Sequence, residues 1–125
     1  MKLSDTHNVI CKTEHTSIER HIHDMCTNQS LPDMFFANMD DIGMGLIKSL
    51  NAHNIQIPED IEILSYGDNP WTKAVTPAMS TINLDVEGMS GECLEILWQL
   101  IQTGDWNPIV KVFPSRFVFR KSFTE

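Results

Sequence analysis

The chain lacks the long apolar run and the paired cysteines that are typical of membrane and secreted proteins. No stretch reaches the ~18 apolar residues of a membrane-spanning helix, and Met1–Ile10 carries one lysine and no apolar core of a signal peptide. The three cysteines, Cys11, Cys26 and Cys93, are odd in number and show no C-x-x-C spacing. We therefore expect reduced thiols in a cytoplasmic protein that does not contact membranes.

Positive charge is also scarce. The sequence has 9 Lys and Arg against 17 Asp and Glu, which gives a formal net charge of −8, and its basic residues form no cluster. Neutralisation of phosphates by Lys and Arg supplies most of the affinity of proteins for nucleic acids. We therefore expect no specific DNA binding by this chain alone.

Catalytic motifs are missing as well. The sequence contains no G-x-S-x-G, no P-loop, no G-x-G-x-x-G and no H-E-x-x-H. Its carboxylate pairs are poorly arranged for glycoside hydrolysis, because Asp40 and Asp41 are adjacent and Glu59 and Asp60 lie on a predicted exposed turn. We expect neither an enzyme nor a bound cofactor.

A predicted N-terminal helix contains several residues of metal-ligand type. The helix would begin at a cap on Thr16 or Ser17 and run to about Asn28. His21 and His23 are two residues apart and point to different sides of this helix, and His23 with Cys26 supplies only two ligands. We expect a solvated helix face and no metal site at these four residues: His15, His21, His23 and Cys26.

The central stretch from Met34 to Asp68 predicts a parallel βαβ unit. A short apolar run, Met34–Ala37, is followed by carboxylates at a helix start, Asp40 and Asp41, and then by apolar residues at helical spacing. A second strand covers residues 61–66, after a turn at Pro58. Polar clusters at 38–41 and 66–69 follow the two strands, and ligands bind at the carboxyl ends of parallel strands.

The flanking segments extend this α/β pattern within a length of 125 residues, which is typical of one domain. A helix would open at Asp85 or Ser90 and stop at Thr103-Gly104-Asp105. Four further strands are predicted, at Asn8–Lys12, Ser80–Leu84, Val110–Phe113 and Arg116–Phe119.

Five pieces of this sequence, in order, resemble the effector-binding core of the lactose/galactose repressor (LacI/GalR) family. They are ANMDDIGMG, IQIPEDIEILSYGD, TPAMSTINLD and FPSRFVFRKS, together with the helix after the first. The resemblance implies a partial periplasmic-binding-protein-like domain of type I, with three layers and a mostly parallel sheet flanked by helices. Residues 1–79 and 110–125 would belong to its C-terminal lobe, and 80–109 to its N-terminal lobe.

The same resemblance implies a site for a small, sugar-like effector. Asp40 aligns with an effector-contacting Asp of the family, although it equally suits a helix N-cap. Trp71 either stacks on a sugar face or, as we favour, anchors its loop in a partly buried position. Met39 stands where the family has Asn, and Gly67 replaces the first Asp of an Asp-Asp pair. The expected effector contacts are Asn38, Asp40, Asp68 and Trp71.

The resemblance also implies a homodimer. In the family, the helix after the Asp motif and the loop after the second strand form the C-terminal-lobe interface. On the helix period, Ile42, Leu46 and Leu50 face the sheet, which leaves another apolar stripe without a partner. The expected interface residues are Met44, Ile47 and Val75.

These features together predict the ligand-sensing fragment of a bacterial transcriptional regulator, whose DNA contacts would be made by a missing headpiece. Two alternatives remain open: a stand-alone sugar-binding module of periplasmic type, and an inert remnant that only oligomerises.

Overall fold

The computed structural model describes residues 15–124, and for His15 and Thr16 only the backbone. The predicted strand at Asn8–Lys12 lies outside the described residues. The elements are α1 (His15–Thr27), β1 (Met34–Ala37), α2 (Asp40–Ala52), β2 (Glu62–Gly67), the 3₁₀ helix α3 (Pro70–Lys73), β3 (Ser80–Asn83), α4 (Val86–Thr103) and β4 (Arg116–Val118).

The strands form one four-stranded sheet in the order β1-β2-β3-β4. β1 pairs in parallel with β2, and β2 with β3, whereas β4 pairs antiparallel with β3. The predicted βαβ unit and the mostly parallel sheet are therefore confirmed. Because β1 and β2 are parallel, their carboxyl ends, Ala37 and Gly67, lie at the same edge of the sheet. Ligands bind at this edge in sheets of this kind.

One hydrophobic core joins α1, α2 and the sheet. It is built from apolar side chains that recur at helical spacing on both helices, and from β2 side chains on the face towards them. At Gly43 a Cβ atom would lie 2.5 Å from Met79 Sδ, so glycine permits the close approach of α2 to Met79, the residue before β3. The central core members are Ile18, Ile22, Leu46, Ile47, Leu50, Ile63 and Met79.

The packing of α1 corrects the sequence-based premise for the dimer interface. Ile47 was expected on an uncovered face, but it is 3% exposed and belongs to the core beneath α1. Met44 and Val75 are partly buried against the same core. The expectation that this apolar face of α2 is uncovered is therefore wrong at Ile47, because α1 packs over it. Self-association itself stays a prediction.

Three local expectations were also wrong. α1 already includes His15, so Thr16 and Ser17 lie inside the helix and do not cap it. Met39, not Asp40, is the N-cap of α2, and Asp40 is its first helical residue. Residues 110–113 form no strand, and Lys111 instead reaches α4, where its Nζ lies 2.6 Å from Glu92 Oε1.

The helix α4 has a capping residue at each end, but the rest of the described chain buries none of its residues. The Asp85 carboxylate accepts a hydrogen bond from the Gly88 N–H at 3.0 Å, and Gly104 ends the helix in the left-handed conformation with φ +67°. Within residues 15–124, no helix is both long and apolar enough to cross a membrane. The large exposed apolar side chains of α4 are Val86, Met89, Leu94, Leu97, Trp98 and Ile101.

Candidate functional site

An open cleft of about 280 Å³ lies where β1 and β2 end. The chain that leaves β1 and the first turn of α2 form one side, and the end of β2 and the following loop form the other. The structure thus brings together the two polar clusters that follow these strands in the sequence. The lining residues are Asn38, Met39, Asp40, Asp41, Tyr66 and Asn69.

The Asp40 carboxylate lies in the wall of this cleft and is 5% exposed. One of its oxygens accepts a hydrogen bond from Ser65 Oγ at 2.5 Å, and the other accepts one from the Asn69 N–H at 2.8 Å. Hydrogen bonds to an ionised acceptor are the stronger ones. Asp40 therefore ties the start of α2 to the end of β2 and to the loop beyond it.

Gly67 lies directly against Asp40. It adopts φ +137°, where side chains are strained, and a Cβ atom there would lie 2.7 Å from Asp40 Oδ2. Gly67 stands where the LacI/GalR pattern has Asp, and at this position the close approach of Asp40 leaves no space for a side chain.

Gly67→Ala is expected to lower the free energy of unfolding by about 2–3 kcal/mol, because it combines backbone strain with a clash at Asp40. Urea denaturation followed by circular dichroism measures this loss. Gly91→Ala is the matched control, since a Cβ atom there meets nothing within 4 Å. That helical position should gain stability from alanine. Equal stabilities of the two variants would contradict the expected role of Gly67.

Asp68 points away from the cleft into a network of donors. It adopts φ +65°, and its carboxylate accepts hydrogen bonds from Thr81 Oγ1 at 2.9 Å and Asn83 Nδ2 at 3.0 Å. Arg120 forms an ion pair with it, with Nη2 at 2.5 Å from Oδ1, and also donates to the Met79 carbonyl oxygen at 2.7 Å. Asp68 thus joins the end of β2 to β3 and to the segment after β4.

The network changes the acidity of Asp68. Burial raises the pKa of its carboxyl, but the hydrogen bonds from Arg120 and Thr81, the charge of Arg120 and the Asn83 amide together hold it below the ordinary value of 3.8. The carboxylate therefore contributes stability that is complete above pH 3.8 and is lost as the pH falls towards the lower pKa of the folded state.

Asp68→Asn is expected to make the free energy of unfolding fall less steeply as the pH is lowered. Urea unfolding between about pH 6 and about pH 2.5 should show that the difference in free energy between wild type and variant is largest near pH 6 and shrinks below pH 4. A difference that stays constant over this range would show that Asp68 does not titrate with a lowered pKa.

The four expected effector contacts thus occupy different environments. Asn38 and Asp40 line the cleft, whereas Asp68 and Trp71 are not among its lining residues. Trp71 is 67% exposed, so its interpretation as a partly buried loop anchor is wrong. Effector binding by any of the four stays a prediction.

Sequence reasoning did not single out Asp41, Tyr66 and Asn69 as contacts, although they line the cleft. Asp41 and Tyr66 are exposed, and neither side chain has a hydrogen-bond partner among the described residues that would compete with a ligand. Their position at or just after the predicted strand ends was the available signal.

The two histidines in the middle of α1, His21 and His23, have different partners. His21 Nδ1 donates to the Ser17 carbonyl oxygen at 2.7 Å, while His23 meets His53 of α2. Across the described range 15–124, no three or more His, Cys, Asp and Glu side chains converge to hold a metal ion. Cys26 and Cys93 carry free thiols.

Comparison with known proteins identifies the fold family. The family model of the periplasmic binding protein-like domain matches residues 3–123. The LacI family transcriptional regulator from Enterococcus faecium with bound ribose superposes with a TM-score of 0.80 at 22% identity, over 90% of this chain and 41% of that one. The transcriptional regulator CelR–cellobiose complex superposes with a TM-score of 0.76 at 23% identity, over 87% and 33%.

Curated relatives match at higher identity over shorter spans. The HTH-type transcriptional regulator LacR of Lactobacillus helveticus is 31% identical over 93 residues, which are 74% of this chain and 28% of that protein. The regulator GalR of Streptococcus thermophilus is 34% identical over 68 residues, 54% of this chain and 20% of that protein. The chain therefore spans between a fifth and three tenths of these relatives. It belongs to the periplasmic binding protein-like domain family, and its relatives in that family are LacI/GalR-type transcriptional regulators.

Proposed function

We propose that this chain is the effector-sensing part of a cytoplasmic LacI/GalR-type transcriptional regulator. The observation that carries the proposal is the cleft at the carboxyl ends of β1 and β2, in a fold shared with regulators whose structures hold cellobiose or ribose. In this proposal the chain has no catalytic role, and operator binding belongs to a separate DNA-reading headpiece.

The effector is a small polar molecule with several hydroxyl groups, such as a sugar. The lining offers a free carboxylate on Asp41, an amide on Asn38 and an exposed ring on Tyr66, which together suit hydroxyl donors and an apolar sugar face. Asp40 contributes by shaping the wall, since its two oxygens already accept hydrogen bonds from Ser65 and Asn69.

The test is a titration of the ¹⁵N-labelled chain with ribose, cellobiose and a panel of other mono- and disaccharides, followed by NMR. A binding sugar should shift the amide signals of the cleft residues. Tyr66→Ala should then weaken binding about tenfold, the equivalent of about 1.4 kcal/mol, in a chain that still folds. Asp40→Asn should lower stability as well as affinity, because it removes a charged acceptor. A panel that shifts no cleft signal at millimolar concentration would refute the proposal.

The regulator is proposed to act as a homodimer, in which effector binding changes the relative positions of the protomers. Met44 of α2 and Val75 of the loop between α3 and β3 are both partly buried, and they remain the expected interface residues that a partner can reach. Sedimentation velocity over a concentration series measures self-association, and Val75→Glu should reduce it. A single species of monomer mass at tens of micromolar would exclude this dimer.

A further inference from the structure

His23 and His53 bring two imidazole rings together from separate helices. His23 lies in the last half of α1, and His53 is the C-cap of α2. His23 Nδ1 lies 3.3 Å from His53 Nε2, and the ring centroids are 5.6 Å apart. His23 is exposed and His53 is half-buried, so solvent reaches the pair.

The hydrogen bonds of His53 fix the proton on its ring. His53 Nδ1 lies 2.9 Å from the Ser49 carbonyl oxygen, which accepts only, so Nδ1 carries the hydrogen and donates it. The lone pair of neutral His53 is therefore on Nε2, towards His23. Metal-binding histidines are oriented in this way, with one ring N–H donated to a carbonyl or carboxylate and the other nitrogen free to bind.

The separation of the two nitrogens fits one shared metal ion. Imidazole nitrogens bind zinc at about 2.0–2.1 Å with tetrahedral angles, which places two such nitrogens about 3.3 Å apart. The distance between His23 Nδ1 and His53 Nε2 is 3.3 Å. The metal form requires the other tautomer of His23, with its lone pair on Nδ1, in place of the present hydrogen bond between the rings.

The surroundings favour a cation. Both rings lie near the C-terminal ends of their helices, where unpaired carbonyl groups concentrate negative potential. Neither α1 nor α2 has a basic residue in its last turn to neutralise it. The charged residues of α1 within one turn of His23 are Glu19, Arg20 and Asp24, two acids and one base.

We propose that His23 and His53 form a two-histidine site for a divalent transition-metal ion such as Zn²⁺, Ni²⁺ or Cu²⁺, and that this ion clasps α1 to α2. Imidazole ligands select these ions over Mg²⁺ and Ca²⁺, which prefer oxygen. Water completes the coordination, so the ion is exchangeable and is not a structural zinc with four protein ligands. This site is independent of the effector cleft.

The first experiment is thermal unfolding of the full chain with Zn²⁺, with Ni²⁺ and with Mg²⁺. Saturating Zn²⁺ or Ni²⁺ should raise Tm by about 4 °C or more, because an ion that binds only the folded state stabilises it, and Mg²⁺ should not. His23→Gln and His53→Gln should each abolish the shift. His21→Gln is the matched control on α1 and should keep it, since His21 bonds to Ser17 outside the pair. A shift that survives both His23→Gln and His53→Gln would overturn the proposal.

A second measurement does not depend on the stability of the variants. Substoichiometric Cu²⁺ should broaden the ring-proton NMR signals of His23 and His53 in the wild-type chain before those of the other histidines. Broadening that begins at His7, His15 or His21 instead would place the ion elsewhere and overturn the proposal.

Discussion

Ile47→Glu is expected to unfold the chain. Ile47 is 3% exposed and packs in the core between α1, α2 and the sheet. The substitution removes a buried branched side chain and places a carboxyl group among apolar neighbours without a partner, so it should cost about 4 kcal/mol or more. That loss is comparable to the whole stability of many domains. Circular dichroism and urea denaturation would show it.

The adjacent residue supplies the control for this prediction. Lys48 is exposed and its Nζ lies 3.2 Å from Glu19 Oε1. Lys48→Glu introduces the same side chain one position along α2. It removes a surface ion pair and places two exposed carboxylates near each other, and it should cost no more than about 1 kcal/mol because solvent screens both effects. A folded Ile47→Glu variant as stable as Lys48→Glu would mean that α1 does not cover α2 as described.

Arg120→Met is expected to be the second most damaging change. Arg120 and Asp68 form an ion pair whose side chains are 12% and 11% exposed. Removing one partner leaves the Asp68 charge without its counter-charge and also removes the donor to the Met79 carbonyl. Breaking such a pair costs about 3–5 kcal/mol. Arg116→Met, at an exposed position of β4, is the matched control and should change stability by less than about 0.5 kcal/mol.

The double variant with Asp68→Asn and Arg120→Met tests the pairing directly. Because the neutral amide introduced by Asp68→Asn leaves no charge without a partner, the double variant should be more stable than the sum of the two single losses implies. Simple additivity of the single losses would show that the two side chains do not interact in solution.

The sequence was sufficient for most local elements of this fold, although not for residues 110–113, which form no strand. The apolar run at 34–37, the helical spacing after Asp40 and the glycine stop at Gly104 each predict an element from neighbouring residues, and the elements lie there. The five-part resemblance to the LacI/GalR family was also sufficient for the fold family, which the match over residues 3–123 confirms.

The tertiary partners of individual residues could not be predicted in the same way. The burial of Ile47 depends on α1, and the role of Asp68 depends on Arg120, 52 positions later in the chain. The sequence pattern also assigned Asp40 as an N-cap, because an Asp at a helix start usually has that role. Its actual donors, Ser65 and Asn69, are fixed by how β2 lies beside α2.

The contacts of Ser122 have a consequence for the timing of folding during synthesis. Ser122 is fully buried, its hydroxyl donates to the Ile63 carbonyl oxygen at 2.6 Å, and the Ile63 N–H donates to the Ser122 carbonyl oxygen at 2.7 Å. The same hydroxyl accepts a hydrogen bond from the Ser80 N–H. Contacts between residues so far apart in the chain form late and slow the folding reaction. The nascent chain therefore leaves the Ser80 N–H and the backbone groups of Ile63 without these partners until residue 122 has been synthesised, so this part of the sheet completes its hydrogen bonds late.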